Sequence, residues 1–144
     1  MKKHPVPVVV TYMQIAPASP LPAISSEPFR TVVVAAMAVS PEWQGLVSKW
    51  LVQAGCLYMM AWGPNSSSWD DSVDMANLDR FDFGEIPDTS SVVTTWHDDE
   101  PIEEVFWFSK NAAEHPDVEL CHTIILDISA ENRSIQVLEC YAAA

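Results

Sequence analysis

The chain has 144 residues, 49% of them hydrophobic and 19% charged, which is enough to bury one core without disulfide or metal staples and too apolar for a disordered chain. Its formal net charge is −13, from 7 Lys and Arg against 20 Asp and Glu. That balance argues against nucleic acid and anionic membranes as partners, because both need cations to meet phosphates, and it leaves open a basic protein partner, a cation or simple solubility.

Residues 1–29 hold six of the 11 prolines and read as a Pro-rich N-terminal segment. Lys2 and Lys3 followed by an apolar run imitate a secretory signal, but Pro7, Thr11, Tyr12 and Gln14 interrupt that run. Residues 8–13 have the composition of an edge strand, and residues 16–28 read as an extended connector, since proline lacks an amide donor and restricts the residue before it. Cys56, Cys121 and Cys140 are widely spaced with no CxxC, the pattern of reduced core thiols in a cytoplasmic protein. No run reaches the roughly 18 apolar residues of a membrane helix.

From Arg30 the chain alternates strand and helix, so residues 30–144 read as a single α/β domain. Residues 31–38 (TVVVAAMA) form a continuous apolar, β-branched run, expected of a strand covered on both faces. Ser40-Pro41-Glu42 is a helix start with a cap, a first-turn proline and an acid at the positive end. Trp43, Leu46, Val47, Trp50 and Leu51 follow at helical spacing, and Gly55 stands at the C′ position. Residues 57–62 (LYMMAW) predict a second buried strand. A helix over residues 69–78 follows, with Ser68 and Asp71 at capping-box spacing. Residues 92–96 (VVTTW) predict a third strand. Asp98 or Asp99 can cap a helix with Pro101 in its first turn and Ile102, Val105, Phe106 and Ala113 facing the core. Residues 120–128 contain a fourth strand, and Ser129-Ala130-Glu131 opens a last helix carrying Ile135, Leu138 and Tyr141.

Strands separated by helices imply right-handed crossovers. The expectation is a small Rossmann-like or flavodoxin-like three-layer sandwich, with a mainly parallel sheet of about four strands plus the N-terminal edge strand. Ligands in such folds bind beyond the carboxyl ends of the strands. That rule selects Trp62, Trp69, Asp70, Asp71, Trp96, His97, Asp98, Asp99 and Asp127 as the candidate edge. Residues 70–104 carry 12 of the 20 acids, opposed only by Arg80 and His97.

Phosphate chemistry has no support, since none of the 4 glycines forms GxGxxG or GxxxxGK[ST]. No GxSxG elbow is present. His97 with Asp98, Asp99, Asp70 or Asp127 could offer nitrogen and oxygen ligands to a divalent cation, but there is no HxH or HExxH, and the reading assigns no metal and no cofactor. Against a site stands a plainer account. Asp70, Asp71 and Asp74, like Glu100, Glu103 and Glu104, fall where first-turn acids complement a helix dipole, and His97 reads as a hydrogen-bonded loop histidine. Trp43, Trp50 and Trp107 read as helix packing. Trp62, Trp69 and Trp96 either roof the core or line a pocket or partner surface.

The run over residues 31–129, with CLYMMAWG, SSWDDSVDMANL, FDFGEIP and TTWHDDEPIEEVFWF, resembles a group of small bacterial proteins classed only as a domain of unknown function. The resemblance implies a bacterial origin and transfers no activity. Two functions are therefore carried forward. One is a non-enzymatic accessory protein, immunity- or regulator-like, whose acidic edge engages a basic protein partner. The other is a small metal- or carboxylate-dependent hydrolase or transferase using Asp70, Asp71, His97, Asp98 and Asp99. A homodimer with tryptophans in its interface is a further expectation.

Overall fold

The computed structural model describes residues 8–24 and 27–144; the signal-like start with Lys2, Lys3, His4, Pro5 and Pro7, and Ser25 and Ser26 of the connector, lie outside the described residues. Five strands, β1 (Val9–Ile15), β2 (Phe29–Val34), β3 (Cys56–Trp62), β4 (Val93–His97) and β5 (His122–Ile128), form one sheet in the order β1-β5-β2-β3-β4. Every pairing is parallel. The expected α/β sandwich is observed, and the N-terminal strand completes it as an edge beside β5.

Alternation along the strands separates two cores. Val33, Met59, Ala61, Ile124 and Leu126 face α1 (Pro41–Ala54) and α2 (Ser66–Arg80). Val32, Val34, Tyr58, Met60 and Ile125 face α3 (Ile102–Asn111) and α4 (Ser134–Ala143). The connector packs on the first face: Trp43 donates its indole N–H to the Ser19 carbonyl (3.1 Å) and Trp50 donates to that of Pro22 (2.7 Å).

Helix α1 forms where local chemistry places it. The Ser40 hydroxyl accepts from the Trp43 amide (3.2 Å), Pro41 occupies the first turn, and Gly55 closes the helix at φ 111°. The other helices depart from expectation. Helix α2 begins at Ser66, before the anticipated start, and the Ser68–Asp71 capping box does not form. The Ser68 hydroxyl instead donates to the Asn65 carbonyl (2.7 Å) and accepts from Gln44 Nε2 (2.9 Å). With the start moved, Asp70, Asp71 and Asp74 lie beyond the first turn, and the helix dipole no longer accounts for them. In α3 the first-turn acids are Glu103 and Glu104 as expected; Pro101 takes the N-cap position, no side chain caps it, and Glu100 stands outside. Helix α4 starts at Ser134, and Val137 and Tyr141 bury, whereas Ile135 is 72% exposed. Trp107, expected to pack, is 53% exposed.

Candidate functional site

The loops at the strand carboxyl ends are drawn together at Gly63. The Ala35 amide donates to the Trp62 carbonyl (2.8 Å) and the Gly63 amide to that of His97 (3.4 Å), joining the ends of β2, β3 and β4. Gly63 holds φ +130°, and a Cβ there would lie 2.3 Å from the Ala35 carbonyl oxygen. Only glycine meets both constraints.

At the end of β4, His97 is nearly buried, and each ring nitrogen has a partner. Nδ1 meets the Glu100 carboxylate, Nε2 meets Thr95 Oγ1 (2.9 Å), and the ring tilts against Phe108 at 5.3 Å between centroids. The Trp62 indole donates to the Glu100 carbonyl (2.8 Å). Glu100 thus ties β3, β4 and the loop before α3 together. Sequence reasoning took it for a first-turn acid; its i,i+3 spacing from His97 was the signal that could have marked the pair. Held at both ends, the turn presents Asp98 and Asp99 outward, both exposed.

On the other face of β4, Thr94 Oγ1 donates to Asp74 Oδ1 (3.0 Å). Burial raises the Asp74 pKa above its ordinary value; the Thr94 bond opposes this, and the neighbouring charges of Asp70 and Asp71 add to it. The three carboxylates therefore make one stripe along the part of α2 that overlies β4, at i, i+1 and i+4. Trp96, two residues after Thr94 and on the same sheet face, is 52% exposed.

Trp69 is separate from this surface. It is 2% exposed, packed in the core under α1 and α2, on the opposite sheet face from Trp62. It also lines a small hollow of about 210 Å3 with Ala35, Met37, Val39, Gln44 and Asn65. No titratable side chain lines that hollow.

Asp127 lies three strands from β4, about 14 Å at ordinary strand spacing. It is wholly buried and fully engaged. Arg133 donates through Nη2 (2.5 Å) and Nε (3.1 Å) and Tyr12 through its phenol, while the Ser129 hydroxyl, 3.3 Å from the carboxylate, donates to the Glu131 carbonyl (2.6 Å). The Tyr12 oxygen in turn accepts from the Arg133 amide (2.9 Å). Burial, then the bond to Asp127, pushes the Tyr12 pKa up, and the same carboxylate raises that of Arg133. A carboxylate held this way anchors β1, β5 and the start of α4 through charge-assisted hydrogen bonds.

A cavity of about 490 Å3 lies at the amino ends of β1, β2 and β5, where sequence reasoning placed no site. Buried Arg30 lines it and donates to the carbonyls of Ala113 (3.0 Å) and Leu120 (3.2 Å) and to Thr123 Oγ1 (3.1 Å). His115 is spent on the same loop, with Nε2 toward the Ser91 carbonyl (2.7 Å) and Nδ1 accepting from the amides of Asp117 and Val118. Both side chains brace residues 113–120, and the acids Glu114, Asp117 and Glu119 share the lining.

The nine candidate residues thus divide into a surface group at β4 and α2 (Asp70, Asp71, Trp96, Asp98, Asp99), a tied pair at the β3 and β4 ends (Trp62, His97), and two interior residues on different elements (Trp69, Asp127). Among the described residues, no three His, Cys, Asp or Glu side chains gather as a metal-binding group. No helix is long and apolar enough to cross a membrane. Comparison with the curated proteins and with the solved structures finds no match. A family model does match, over residues 10–144, and the chain belongs to that family, described as Domain of unknown function (DUF7684).

Proposed function

We propose that this chain is a protein-binding module that engages a basic partner through the acidic surface around β4, with Trp96 as its aromatic anchor. The observation that carries this reading is the half-exposed Trp96, on the sheet face where Thr94 holds Asp74 of the Asp70–Asp71–Asp74 stripe and two residues before the exposed Asp98 and Asp99. Among the described residues, none of these five carboxylates has a lysine or arginine within ion-pair distance. Uncompensated charge beside an exposed tryptophan suits steering by electrostatics and anchoring by burial.

The hydrolase or transferase reading gains less. His97 would have to leave Glu100 and Thr95 to act as a base or ligand, and Asp127 would have to leave Arg133. Asp127 also lies three strands away from His97, Asp98 and Asp99 at the end of β4. We also place the chain in a reducing compartment, such as the cytoplasm. Its three cysteines are free, and burial pushes the Cys56 thiol up to about 12, which makes it inert.

The test is retention of partners on the immobilised chain as salt is raised. Basic proteins should elute as ionic strength screens the acids, and Trp96→Ala should lose the same partners. A specific partner indifferent both to salt and to Trp96→Ala would refute the proposal.

A further inference from the structure

Strand β4 ends the sheet, pairing only with β3. Alternate residues of such a strand turn their amide and carbonyl away from the neighbour. Among the described residues, no hydrogen bond from loop or side chain reaches that outer backbone edge. Natural sheets usually guard an edge with charge, proline, a bulge or a covering segment. Residues 93–96 (VTTW) include neither charge nor proline, and the register with β3 runs from Tyr58↔Val93 to Trp62↔His97 without a shift.

We infer that the β4 edge receives an extended basic segment of a partner protein, which adds to the sheet as a sixth strand. The inference rests on the acidic-surface reading above and specifies how that surface is used. Its chemistry follows from the two faces. On the α2 side, the stripe of Asp70, Asp71 and Asp74 with Trp96 would meet alternate side chains of the incoming strand, which suits lysine or arginine as ion-pair and cation–π partners. On the α3 side, Val93, Thr95 and Phe108 would meet the intervening ones, which suits small apolar residues. The partner segment is therefore amphipathic with a period of two, the pattern of a strand. The opposite edge, β1, lacks this complement: the acids beside it, Glu27 and Asp127, are engaged by His122 and Arg133.

The probe is a short acetylated and amidated peptide of alternating lysine and valine. Its controls are a version N-methylated on alternate amides and a version with glutamate for lysine. Affinity is measured with the full chain and with the Asp70→Asn/Asp71→Asn and Trp96→Ala variants, and amide exchange is followed by NMR. Strand addition predicts slowed exchange at outward amides among residues 93–97, no binding by the glutamate peptide, and a loss of about tenfold or more on N-methylation, since at least one backbone hydrogen bond is removed. Binding that is salt-sensitive and needs Trp96 yet is unchanged by N-methylation overturns strand addition and spares the acidic-surface reading. Binding that N-methylation abolishes but neutralised acids and Trp96→Ala leave unchanged does the reverse. Protection of β4 that rises with protein concentration alone assigns the edge to a second copy and overturns the inference. Absence of peptide binding at low salt overturns both readings.

Discussion

At the β1–β5 flank of the sheet, Asp127 is wholly buried and accepts hydrogen bonds from Arg133 and Tyr12. At the β4 flank, Asp98 and Asp99 are exposed, and the Asp70–Asp71–Asp74 stripe has only a threonine for a partner. Both flanks bring acids and aromatic residues to the carboxyl ends of parallel strands, and the sequence marked both as candidate site. The difference is one guanidinium. Where Arg133 folds back, the carboxylate becomes a structural tie. Where, among the described residues, no lysine or arginine pairs with them, the carboxylates leave an exposed negative surface. Strand-end position locates functional residues only after the ion pairs internal to the fold have been subtracted.

The contrast breaks most visibly at Asp127. Asp127→Ala leaves the Tyr12 phenol and the Arg133 guanidinium without their acceptor and should cost about 2–3 kcal/mol, less than a fully buried pair because Arg133 is 39% exposed, read from urea or thermal unfolding. Adding Arg133→Met should recover part of that loss, because the stranded charge is then gone. If both variants unfold like the parent, the anchor is not structural. Gly63→Ala comes next: the left-handed backbone and the contact with the Ala35 carbonyl should together cost about 2 kcal/mol, and an unchanged melting curve would mean the loops tolerate separation.

On the open flank the same measurement should move little. Trp96→Ala should alter stability by about 0.5 kcal/mol or less, as for surface positions, while reducing partner affinity by about tenfold or more. Equal losses in both would make Trp96 a packing residue. The smallest effect is at Asp74. Its folded pKa lies above the unfolded value, so its stabilising share is complete below the unfolded pKa near 3.8 and is lost as pH rises through the folded value. At neutral pH the ionised group is thus a mild liability. Asp74→Asn, which keeps an acceptor for Thr94, should raise stability at pH 7 by about 0.5 kcal/mol at most and lose that advantage toward pH 4. An advantage that grows on acidification would reverse the assigned sign.

Legibility varied with how local each determinant was. Helix α1 was readable because its cap, proline and terminal glycine act within a turn. The start of α2 is not legible because Ser66, Ser67 and Ser68 are chemically equivalent in sequence, and tertiary placement distinguishes them: Ser66 is buried, while Ser68 is exposed and bonds Gln44 and Asn65. The start of α4 was misread because Arg133 is held before the helix by Tyr12 and Asp127 rather than recruited into it. Of the candidate edge, Trp96, Asp98 and Asp99 stand exposed at the end of β4. The burial of Trp69 followed from the turn of α2, which a one-residue reading of strand ends cannot supply.

The order of residues alone determined the α/β alternation, the parallel sheet, most strand positions and the acidic balance, because period, β-branching and charge are properties of short windows. Only the tertiary structure decided which acids stay available. Tyr12 and Asp127 are separated by 115 positions and meet because β1 pairs with β5, and whether a carboxylate is tied or free depends on pairings at that range.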